Sequence, residues 1–190
     1  MDTRLRTRRE LCAGRPLGEW TWRRSIAATV GACAVAGFAL CADMRAADRP
    51  ALPPSVVYTV DGAPLTLNQQ FNTGRWLVVY VTPDSPASSR LADALKAWQL
   101  PSTEHIAFVV GGNKTAAEAF ARAHESIGVN WALDGDKAAW TDLHVTGVPT
   151  LLGVDAGLIA WRLAGVLNDP SAMQSVITSW IGGPSQSPRP

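Results

Sequence analysis

Trp76-Leu77-Val78-Val79-Tyr80-Val81-Thr82-Pro83-Asp84-Ser85-Pro86-Ala87-Ser88 is the stretch on which the fold class turns. Its first six residues are a continuous apolar, β-rich run, the pattern of a strand covered on both faces and therefore central in a sheet. Thr82 to Asp84 break the run, and Ser85 followed by Pro86 is the favoured N-cap and N1 pairing of a helix. Leu91, Leu95 and Trp98 then fall at i, i+4 and i+7, which gives that helix a single apolar stripe.

Downstream the alternation repeats. His105 to Val110 is a second buried-strand run, Gly111-Gly112 ends it, and Phe120, Ala123 and Ile127 are expected on one face of a second helix. Thr150 to Val154 and Leu158 to Leu163 read as two strands joined at Asp155-Ala156-Gly157. The closing helix has Asp169 as N-cap and Pro170 at N1. Met173, Val176, Ile177, Trp180 and Ile181 form its apolar face, and Gly182-Gly183-Pro184 stop it. Upstream, Val56 to Val60, the Asp61-Gly62 turn and Pro64 to Leu67 give a hairpin. A βαβα half, a ββα half and an N-terminal hairpin predict an α/β domain over residues 56–182, with a mixed sheet flanked by helices.

The 190 residues suit one domain of ordinary size. The charge is unevenly divided. Residues 1–24 hold seven Arg and three acids, whereas residues 48–190 hold nine Lys or Arg against twelve acids. A mildly acidic body without a basic stripe argues against nucleic-acid binding. The Arg run instead marks 1–24 as a cytoplasmic n-region, and 25–47, with eighteen uncharged residues from Ser25 to Ala42, as a signal peptide or membrane anchor. Its modest hydrophobicity favours a signal peptide, while poor cleavage sites and the flanking Trp20 and Trp22 favour an anchor. Either way the body is exported, with the periplasm or the outer side of an inner membrane as its location. Residues 48–55, with three prolines, are an extended linker, and 183–190 a disordered tail.

Cys12, Cys33 and Cys41 all precede residue 48, so the body has neither a disulfide nor a thiolate metal ligand. His105, His124 and His144 have no spacing of a local ligand pair, and neither metal nor cofactor is expected. The six body tryptophans, Trp76, Trp98, Trp131, Trp140, Trp161 and Trp180, are assigned to the core or to the lining of a groove.

Four segments together resemble the TlpA/ResA-like branch of the thioredoxin superfamily: Val60 to Leu67 (Val-Asp-Gly-Ala-Pro-Leu-Thr-Leu), Val78 to Asp84, Gly147-Val148-Pro149-Thr150, and Val154 to Ile159. The resemblance covers about residues 52–182 and implies a thioredoxin-like fold with a cis-proline at Pro149. It also implies Cys-x-x-Cys at the head of the first long helix, where this chain has Ser85-Pro86-Ala87-Ser88. A dithiol works because one thiolate attacks a disulfide and the second thiol resolves the mixed intermediate, which a serine hydroxyl cannot do. No catalytic residue is therefore assigned, and Ser85 and Ser88 mark a degenerate dithiol position. What the resemblance leaves is binding of a protein or extended peptide, with Val148, Pro149, Thr150, Pro86 and Asp84 as the candidate residues. The rivals are a thiol-disulfide oxidoreductase-type accessory protein and a membrane-anchored component of an envelope assembly.

Overall fold

The computed structural model describes residues 49–98, 100–165 and 169–183. The n-region, the apolar segment at 25–42 and all three cysteines lie outside the described residues, as does the tail from 184 onward. Seven strands form one mixed sheet in the order β2-β1-β5-β4-β3-β6-β7. They are β1 (Val56–Thr59), β2 (Pro64–Thr66), β3 (Arg75–Val81), β4 (Ile106–Gly111), β5 (Asn130–Asp134), β6 (Thr150–Asp155) and β7 (Leu158–Ala164). The helices are α1 (Leu67–Gln70), α2 (Pro86–Ala97), α3 (Lys114–Ala123), α4 (Ala138–Asp142) and α5 (Pro170–Gly182).

The continuous apolar run forms β3, the fifth of the seven strands, parallel to β4 and antiparallel to β6. Both of its faces are buried, and the pleat sends alternate residues to two different cores. Leu77, Val79 and Val81 meet Leu91 and Leu95 of α2, Phe120 of α3, and Met173 and Ile177 of α5. Val78 and Tyr80 face the opposite core, with Leu67 and Phe71 at α1, Ala139 of α4, and Leu52 from the segment before β1. Each Leu so buried contributes ~1.5 to 3 kcal/mol relative to exposure.

Three details differ from the expectations. Leu67 does not end a strand; it starts the one-turn α1. The second helix stops at Ala123, which is exposed, and its inward face is Ala117, Phe120 and Ala121. His124 ends it by placing Nδ1 2.9 Å from the Phe120 carbonyl, and Ile127 is buried from a separate 3-10 turn closed by Gly128 in the left-handed region. Finally, β5 and α4 intervene before the last hairpin. Asn130-Trp131-Ala132-Leu133-Asp134 has polar ends and three apolar residues, and α4 has five residues, too few to show a helical period.

The proline-containing segment before β1 is extended and packed. Leu52 is buried, its N–H donates to the Gly157 carbonyl at 2.8 Å, and the Ile159 N–H donates to the Pro50 carbonyl at 2.8 Å. The Ser55 hydroxyl donates to Asp142 at 2.8 Å. This strap pairs with the start of β7 through an Ala51–Leu158 bridge and so covers part of an open sheet edge. Farther along the β6-β7 pair, a register shift between Gly153 and Val154 of β6 bends it, and the Trp161 indole of β7 lies where a side chain at Gly153 would stand.

Candidate binding site at the carboxyl ends of the parallel strands

β3, β4 and β5 run parallel and end on one side of the sheet, at Val81, Gly111 and Asp134. In open α/β sheets the crevice outside these carboxyl ends is where ligands bind. After Val81 the chain turns tightly, with the Ser85 N–H donating to the Thr82 carbonyl at 3.2 Å, and α2 begins at Pro86. Ser85 takes the N-cap position, but its side chain makes no cap hydrogen bond. The helix-head hydroxyl with a defined partner is that of Ser88. Fully buried, it accepts the Thr82 N–H at 3.2 Å and ties the first turn of α2 to the end of β3. Of the two serines at the head of α2, Ser85 is half-buried and Ser88 is buried and bonded.

The second element of the site is the loop between α4 and β6. The Val145 N–H donates to the Trp140 carbonyl at 3.0 Å, His144 adopts φ 48°, and its carbonyl accepts from Arg162 Nη1 at 2.9 Å. The Val148-Pro149 peptide is cis. The Pro149 carbonyl accepts the Gly165 N–H at 2.7 Å, and the buried Thr150 donates its hydroxyl to the Gly147 carbonyl. Bonds on both sides thus fix the loop against β6 and β7.

Between these elements lies a cleft of about 300 Å³. Tyr80, Gly111, Gly112 and Trp140 line it together with Val148, and Thr82, Asp84 and Lys137 complete its wall. Of the sequence-predicted residues, Asp84 and Val148 meet here. Ser85, Pro86, Ser88, Pro149 and Thr150 are not part of its lining; Pro86 is exposed and Ser88 and Thr150 are buried.

The part of the site not anticipated from the sequence is a buried polar network. The Tyr80 hydroxyl donates to Asp134 Oδ2 at 2.6 Å. The same carboxyl accepts the N–H of Ala139 at 3.2 Å on Oδ1 and of Trp140 at 3.0 Å on Oδ2, so Asp134 caps α4 from four residues upstream of its first residue. Burial, and then the hydrogen bond and charge of Asp134, push the Tyr80 phenol well above its ordinary range, so it remains a donor. Its hydroxyl occupies the place where a side chain at position 111 would begin, which requires glycine there. The local sequence Asp134-Gly135 carries no sign of this role; of the body tryptophans, Trp140 lines this cleft. Among the described residues no group of three His, Cys, Asp or Glu could hold a metal ion, and no helix is long and apolar enough to cross a membrane.

A larger groove of about 470 Å³ runs between β1 and α3, with Tyr58, Lys114 and Asp136 on its walls. None of the sequence-predicted residues lines it.

No protein-family model and no curated protein matches the chain. Solved structures do. The MTB protein DsbF is similar at 17% identity with a TM-score of 0.57, over 70% of this chain and 98% of that one. A secreted Mycobacterium tuberculosis disulfide oxidoreductase homologous to E. coli DsbE is similar at 15% identity and TM-score 0.54, over 68% and 95%. The exposed lipoprotein thioredoxin Etrx1 of Streptococcus pneumoniae is similar at 10% identity and TM-score 0.52, over 64% and 96%. With the cis-proline loop facing the end of β3 across one cleft, these likenesses identify the architecture: the chain has the thioredoxin-like fold.

Proposed function

We propose that this chain is a thiol-free thioredoxin-like binding domain, which holds an extended polypeptide at the Val148-Pro149 loop without exchanging disulfides. The observation that carries this reading is the head of α2. A fully buried Ser88 hydroxyl, bonded to the Thr82 N–H, stands where a dithiol would need a sulfur, and the sequence offers no cysteine after Cys41. A hydroxyl has no redox couple accessible to disulfides. Peptide capture needs only main-chain groups on an anchored loop and a cleft beside it, and the loop carries bonds through Gly147, Pro149 and Val145. The proposal extends to place: the Arg-rich start, the uncharged stretch 25–42, and likeness to proteins described as secreted and exposed support a position outside the cytoplasm.

The competing reading is thiol-disulfide exchange, favoured by the activity in the name of one similar protein. Insulin reduction with dithiothreitol separates the two. The full chain is expected to match the buffer control, and turnover above that control would remove the binding-only reading.

A further inference from the structure

We infer that the 300 Å³ cleft beside Val148 is a side-chain subsite that selects a large neutral residue, aromatic or long aliphatic, in the bound polypeptide. The inference rests on the peptide-binding reading above and adds the identity of the residue read. It begins with the floor. Tyr80 and Trp140 stand edge to face with ring centroids 5.5 Å apart, and both line the cleft. Tyr80 is fully buried beneath this pair, so the half-buried Trp140 ring is the aromatic surface that an occupant meets, and such a ring attracts a further aromatic or apolar group. One wall is the Gly111-Gly112 backbone, which has no side chain to fill the space, and at φ +125° Gly112 holds a conformation that L residues rarely adopt.

The polar groups argue against a charged occupant. The buried carboxyl of Asp134 already accepts three hydrogen bonds, from Tyr80, Ala139 and Trp140, and has little capacity left for a ligand ammonium. Asp84 and Lys137, both exposed, carry opposite charges at the cleft, so a single charge inside would be attracted by one and repelled by the other. Either charge would also lose hydration on entering. A neutral ring or a Leu or Met side chain meets none of these costs. Asp134 acts here as a positioning residue, because its bonds to the Ala139 and Trp140 N–H groups hold the first turn of α4 and thereby the Trp140 ring over the cleft.

The test is a positional-scanning library of acetylated, amidated decapeptides passed over the immobilised full chain. At one position Phe, Tyr, Trp, Leu and Met should be enriched about tenfold or more over Asp, Glu and Lys, a difference of ~1.4 kcal/mol. Thr82→Phe, which fills the cleft from its wall, should flatten that position while peptides are still retained. Trp140→Leu, which keeps the core apolar but removes a ring, should erase the aromatic part of the preference. No retained peptide at all would sink the binding reading and this inference with it. Retained peptides with a flat profile, or a profile that survives Thr82→Phe, would overturn the subsite alone.

Discussion

Removing the Asp134 carboxyl should reveal how much of the site depends on one buried group. In Asp134→Ala three donors lose their acceptor: the fully buried Tyr80 hydroxyl, the buried Ala139 N–H and the part-buried Trp140 N–H. A buried donor left without a partner costs ~1 to 3 kcal/mol. With the Trp140 amide nearest to solvent, the total is about 3 to 6 kcal/mol, a large share of the ~5 to 15 kcal/mol that holds a typical domain folded. Tyr80→Phe is milder, about 1 to 2 kcal/mol, because Asp134 keeps its two N–H donors. The informative quantity is the double variant. Once the carboxyl is gone the Tyr80 hydroxyl is an orphan, so deleting it as well should be neutral or favourable, and the pair should cost less than the sum of the single changes by about 1 to 3 kcal/mol. Urea unfolding of the full chain measures each corner of the cycle, with unchanged m values as the check that the same transition is being compared. Additivity within about 0.5 kcal/mol would refute the network.

The raised Tyr80 pKa gives a pH dependence. Folding favours the neutral phenol, so this stability is present below the unfolded value of about 10 and declines as pH rises above it toward the higher folded value. The melting difference between wild type and Tyr80→Phe should therefore shrink between about pH 8 and pH 11, and a constant difference would contradict the assignment. Ser88→Ala strands the Thr82 N–H and should cost ~1 kcal/mol in chemical denaturation, whereas Ser85→Ala, at a side chain without a cap bond, should stay within about 0.5 kcal/mol. If the two serines cost the same, the assigned asymmetry is wrong. Ser85→Cys with Ser88→Cys should close to a disulfide on oxidation, since the N-cap and N3 positions of a helix start lie within bridging reach; two free thiols by mass spectrometry would place these residues elsewhere.

The sequence was most legible where burial alone decides structure. The β3 run, the β6-β7 hairpin and the cap of α5 follow from local pattern, and Asp169 does accept the Ser171 N–H at 2.9 Å. It was least legible where a short element owes its place to a distant partner. β5 becomes a strand because β4 and β1 pair on either side of it, and α4 exists as one short turn because Asp134 caps it. Likewise the candidate site divided in two. Residues named by resemblance, such as Val148 and Asp84, do reach the cleft, but its floor is Tyr80 and Trp140, 60 residues apart in sequence and joined through a carboxyl that local pattern cannot assign. The serine at 88 shows the same limit: its residue type is compatible with a helix start, while its role depends on facing the end of β3.

A thiol-exchange site makes two separable demands, a nucleophile at the head of a helix and a platform that holds the substrate chain. In this protein they belong to different structural units. The head of α2 is tied to β3 through Ser88 and Thr82, while the Val148-Pro149 loop is tied to α4, β6 and β7 through Val145, Thr150 and Pro149. Among the described residues, no bond of one set uses a side chain of the other, so serines at the head of α2 leave the anchors of the loop in place. Serine also costs little at the head itself. A buried thiol at position 88 would be a weak acceptor for the Thr82 N–H, and the hydroxyl is a stronger one. Under the proposed reading, a serine-bearing helix head and an independently anchored Val148-Pro149 loop are therefore compatible within one fold.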